Sequence, residues 1–74
     1  MPAVPHHRRI LGQNIRAARK RAKLTQEKLA EKTWLSVVFL SLLENGWRTA
    51  SLEALLAIAK AAKVELEDLV RGVR

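Results

Sequence analysis

An all-α fold of five short helices is predicted by three features of the 74-residue sequence. Ala, Leu, Lys, Glu and Arg dominate, and only three Gly and two Pro interrupt them, which favours helix over sheet. From Arg9 onward apolar residues recur at helical spacing. Thr25, Ser36 and Ser51 each stand just before such a run, where a short hydroxyl side chain satisfies free backbone N–H groups.

The elements follow in order. Met1 to Arg8 holds both prolines and both histidines without periodicity and reads as a flexible N-terminal arm; residues 9–74 form the single domain. Leu11, Ile15, Ala18 and Ala22 make one stripe of a first helix. Thr25 caps a short second helix, Gln26 to Lys32, with Leu29 and Ala30 inward and Glu27 at the positive end of its dipole. Ser36 caps a third, Val37 to Asn45, which Gly46 ends in a left-handed conformation. Ser51 caps a fourth, Leu52 to Ala62, whose predicted inner face is Leu52, Leu55, Leu56 and Ala59. Glu65 to Val70 is a fifth, with Leu66 and Leu69 inward and Glu65, Glu67 and Asp68 solvated.

Composition narrows the function. Without cysteine there is neither a disulfide framework nor a thiolate metal site, and His6 and His7 alone cannot hold a metal. No nucleophile–base set, paired-carboxylate cleft or Gly-rich phosphate loop is present, so neither an enzyme nor a cofactor or small-molecule substrate is expected. The apolar runs are far too short to span a membrane, and no signal sequence is visible, which predicts a cytoplasmic protein. The formal charge is +7, and Arg8, Arg9, Arg16, Arg19, Lys20, Arg21 and Lys23 all precede the first acid, Glu27. Such a basic block suits a polyanion or a solvated helix face equally well.

Two short helices separated by a tight Thr33–Ser36 turn are arranged so that the second can enter a major groove. With Ile15-Arg16-x-x-Arg19, Leu24-Thr25-Gln26-Glu27-x-Leu29-Ala30, Leu35-Ser36, Leu40-Ser41-x-Leu43-Glu44-Asn45-Gly46 and Ser51-Leu52-x-x-Leu55, the chain resembles the Cro/repressor-type (phage repressor-like) helix-turn-helix family over about four-fifths of its length. The resemblance implies a compact five-helix domain in which Arg19 and Glu44 form a structural ion pair between the first and third helices. It implies that Gln26 bonds a DNA phosphate, that Arg48 touches the backbone, and that Ser36 and Asn45 belong to the same surface. It places Val37, Val38 and Leu42 at base-reading positions.

The third helix departs from the family there. Val37, Val38 and Leu42 cannot make the bidentate hydrogen bonds that read base edges, and among these positions only Ser41 is polar. Trp34 occupies a turn position where the family mostly has Gly, and Trp47 one where a Lys or Arg is usual. Trp34, Val38 and Leu42 are spaced as one outward stripe, so an exposed apolar patch of roughly 500 Å² is expected. The leading expectation is therefore a protein-binding module on a DNA-binding scaffold, resurfaced as in an engineered or designed binder. It would use Trp34, Val37, Val38, Ser41, Leu42 and Trp47 to hold a protein partner or a second copy of itself. The alternative is a sequence-specific regulator of transcription that binds double-stranded DNA through Gln26, Ser36, Asn45 and Arg48.

Overall fold

The computed structural model describes residues 3–74; Met1 and Pro2 lie outside the described residues. Among the described residues five helices follow one another: α1 (His6–Arg21), α2 (Gln26–Lys32), α3 (Val37–Glu44), α4 (Leu52–Ala62) and α5 (Leu66–Val70). No strand occurs among the described residues. No helix is long and apolar enough to cross a membrane among those residues.

Each helix sends at least one fully buried aliphatic side chain into a shared core: Ile15, Leu29, Leu40 and Leu43, Ile58 and Leu69. Burial of such a side chain contributes about 1.5–3 kcal/mol. No helix has a core of its own, so the five stand or fall together.

Local chemistry sets most boundaries. The Thr25, Ser36 and Ser51 side chains accept from the N–H groups of Lys28, Phe39 and Ala54 at 3.0, 3.0 and 3.1 Å. The C-terminus of α3 closes in a two-bond cap: Gly46 N–H donates to the Leu43 carbonyl at 3.1 Å and Trp47 N–H to the Leu42 carbonyl at 2.9 Å. Gly46 takes φ +82°, which a glycine adopts without penalty. The same pattern ends α1, where Lys23 N–H meets the Lys20 carbonyl and Leu24 N–H the Arg19 carbonyl. It also ends α4, through Lys63 N–H to Lys60 and Val64 N–H to Ala59. In those two caps the left-handed residue is a lysine.

Three expectations need correction. α1 begins at His6, three residues earlier than the periodicity indicates, because the Pro5 carbonyl accepts from the N–H groups of Arg8 and Arg9 and starts the helix. α5 begins at Leu66, since Glu65 stands before it with its N–H bonded to the Asp68 carboxylate at 2.9 Å. In α4 the buried face is Ala54, Leu55, Ile58, Ala59 and Ala62, while Leu52 is 57% exposed and Leu56 is exposed beside it. Apolar residues run most of the way round this helix, so its neighbours, not its periodicity, select the inner face.

α1 packs on α3 at unusually close range. A Cβ on Gly12 would lie 2.5 Å from the Leu43 carbonyl oxygen and 2.6 Å from that of Glu44. α5 is tied to the same helix by Asn14, whose amide donates to the carbonyls of Leu69 and Arg71 at 2.9 and 2.8 Å.

Candidate nucleic-acid interface

The turn between α2 and α3 is built around Thr33. Its hydroxyl donates to the Leu29 carbonyl at 2.9 Å and accepts from Leu35 N–H at 3.2 Å, so one side chain both finishes α2 and fixes the approach to α3. No left-handed residue is needed. Among the described residues positive φ is confined to Lys23, Gly46, Lys63 and Gly72, so Trp34 needs no left-handed backbone although it stands where the family mostly has Gly.

α3 is then clamped from behind. Arg19 Nε donates to Glu44 Oε2 at 2.6 Å and Arg19 Nη2 to Glu44 Oε1 at 3.0 Å, a two-pronged pair between nearly buried side chains. The remaining guanidinium nitrogen, Nη1, donates to the Leu24 carbonyl at 2.8 Å. Arg19, though part of the basic block, is thus turned inward.

Gln26 joins this network. Its Nε2 donates to Glu44 Oε1 at 3.2 Å, and because a carboxylate only accepts, the amide orientation is set. The side chain expected to meet a phosphate is therefore anchored to the clamp, with its second amide hydrogen uncommitted. Asn45 turns back on its own helix, donating to the Ser41 carbonyl at 2.8 Å. Ser36 is engaged as the cap of α3. Arg48 is exposed on the loop after α3, next to Trp47, whose carbonyl accepts from Arg8 Nη1 at 3.3 Å.

Of the three apolar residues expected to form one outward stripe, Trp34 and Val38 are exposed and Leu42 is half-buried. Leu40, Leu43 and Glu44 are the buried side of α3, which sets Val38 on the outer side at 70% exposure with exposed Val37 beside it. Ser41 and Leu42 are half-buried. The two-bond cap returns Trp47 toward Leu42, an arrangement that commonly brings the two side chains into apolar contact. Trp34 is 67% exposed, but it precedes α3 and lines a surface groove with Lys32, Thr33, Ala57, Lys60 and Ala61, on the α4 side. Helical spacing does not extend to a residue outside the helix. What remains on the outer first turn is a pair of valines.

Comparison with known proteins places this geometry. Residues 15–69 match the family model described as Helix-turn-helix. Over 60 residues, 81% of the chain, the sequence is 42% identical to the immunity repressor protein of Bacillus phage phi105, and the chain spans 42% of that relative's length. Among solved structures, the clp gene regulator ClgR from C. glutamicum superposes with a TM-score of 0.84 at 30% identity, covering 95% of this chain and 90% of that one. The restriction-modification controller protein C.AhdI from Aeromonas hydrophila gives 0.78 at 33% identity, covering 82% and 92%. The hypothetical transcription factor NHTF from Neisseria gives 0.79 at 27% identity, covering 95% and 85%.

These likenesses overturn the expectation of an engineered or designed protein-binding module. The similar proteins are a phage repressor and bacterial regulators, to which this chain is 30–42% identical across most of its length. Of the residues expected to form that surface, Trp34, Val37, Val38 and Trp47 are exposed, whereas Ser41 and Leu42 are half-buried. The clamped α2–α3 unit, the caps and the matched span together show that this chain belongs to the helix-turn-helix family, as a domain of the Cro/repressor type.

Proposed function

We propose that this domain binds double-stranded DNA in a sequence-specific manner and regulates transcription, as a repressor does. The observation that carries this reading is the uncovered outer face of α3, held rigidly from behind by the Arg19–Glu44 pair. A helix of eight residues presented in this way fits a major groove, with α2 lying across the phosphate backbone. Gln26, at the start of α2, is steadied by Glu44 and keeps an amide hydrogen for a phosphate oxygen. The backbone N–H groups of that helix start favour an anion as well. Arg48 supplies a cation on the following loop, and the exposed Arg16, Lys20, Arg21 and Lys23 raise the positive potential that draws DNA in. The names of its relatives support the same role.

Fluorescence anisotropy with duplexes selected from a random pool, measured across a salt series, tests this. Affinity should fall steeply and linearly on a log–log plot as salt rises, and selected duplexes should outcompete random ones by about a thousandfold or more. Absence of salt-dependent binding to any duplex overturns the reading.

A further inference from the structure

We propose that α3 reads its operator through pyrimidine C5-methyl groups, with Val38 and Val37 as the residues that determine specificity. The inference rests on the DNA-binding reading above and names what that surface recognises.

Three polar side chains near this face have partners within the domain, and Ser41 beside them is half-buried. Gln26 is bonded to Glu44, Asn45 to the Ser41 carbonyl, and Ser36 to the N–H of Phe39. The only charged side chain of α3, Glu44, is buried against Arg19. What α3 offers outward on its first turn is Val38, 70% exposed, flanked by Val37. Neither can pair with the donors and acceptors of a base edge.

In the major groove a base pair shows one apolar feature, the 5-methyl of thymine, and 5-methylcytosine shows the same group. A valine γ-methyl pressed on that group removes apolar surface from water on both sides. The same valine pressed on an unmethylated cytosine would strip water from the N4 amino group without replacing its hydrogen bond. The surface therefore selects for a methyl and against a bare polar edge. β-Branched side chains suit this task, because restricted χ1 rotation holds their methyls in place.

The test begins with the duplex that the domain selects from a random pool. Each thymine is replaced in turn by uracil, which removes the methyl and leaves Watson–Crick pairing unchanged. At the one or two positions facing Val37 and Val38, affinity should drop about fourfold per methyl, the factor that burial of one methyl-sized group corresponds to. At those same positions 5-methylcytosine should bind about fourfold better than cytosine. The Val38→Ala domain should lose the thymine-over-uracil preference at its position while melting at an unchanged temperature, since the side chain is mostly in solvent.

Unchanged affinity for uracil at every position overturns methyl reading and leaves DNA binding standing. Failure to bind any duplex overturns the DNA reading, and this one with it. Self-association that Val38→Ala abolishes would assign the face to a second copy of the chain and overturn the proposal too.

Discussion

Gly12 of α1 lies against the Leu43 carbonyl at the end of α3 so closely that a Cβ would stand 2.5 Å from the oxygen. The second obstacle is the Glu44 carbonyl at 2.6 Å. Both are backbone atoms of a capped helix end, and neither can swing aside as a flexible side chain would. Gly12→Ala is therefore expected to destabilise the domain by roughly 2 kcal/mol, although alanine is the better helix former by about 1 kcal/mol. Urea denaturation of the two proteins checks this, and equal or greater stability in the alanine variant would show that the helices can move apart freely.

The Arg19–Glu44 pair is buried, and Arg19 also reaches the Leu24 carbonyl. Glu44→Ala should cost roughly 3–5 kcal/mol, because the guanidinium is left in the interior without its counter-charge. That is a large share of the total for a domain this small. The double variant Arg19→Met, Glu44→Leu should recover most of the loss, since no buried charge then remains. Urea denaturation of the wild type, Glu44→Ala and the double variant measures both effects. A double variant as unstable as Glu44→Ala would mean that the network's hydrogen bonds, not charge compensation, dominate.

Lys63 closes α4 at φ +58° and ψ +43°, a conformation costly for a residue with a Cβ. Its side chain is exposed. Lys63→Gly should therefore stabilise the domain by about 1 kcal/mol and raise Tm by roughly 4–8 °C, as read by calorimetry. The analogous lysine at the end of α1, Lys23, has φ +62° and should respond in the same direction.

What could be read from the sequence followed the range of the interaction. Thr25, Ser36, Ser51 and Gly46 act on N–H and carbonyl groups within a few residues, and their chemistry is visible in the chain itself. Arg19 and Glu44 stand 25 residues apart, and only a resemblance could have joined them. Leu52 and Leu56 are indistinguishable from Leu55 by hydropathy, and only the placement of α4 exposes them. Gly12 gave no local signal, since its reason lies in another helix. At the interface the error was one of inference: Val38 is exposed as periodicity predicts, but an uncovered aliphatic on a helix of this kind meets a thymine methyl as readily as it meets a protein.

Arg48 provides the complementary check on the DNA interface. It lies on the exposed loop after α3, beyond the helix whose outer turn presents Val38, and under the proposed DNA binding a cation there would neutralise phosphate without reading sequence. Arg48→Ala should weaken selected and random duplexes by the same factor, and should flatten the slope of log affinity against log salt by about 0.9, the value of one phosphate contact. Val38→Ala should do the reverse, narrowing the gap between selected and random duplexes while leaving the salt slope untouched. Anisotropy titrations of both variants at several salt concentrations measure the two effects side by side. If Arg48→Ala instead changed the preferred sequence, the loop would be reading bases, and the division of labour between it and α3 would have to be redrawn.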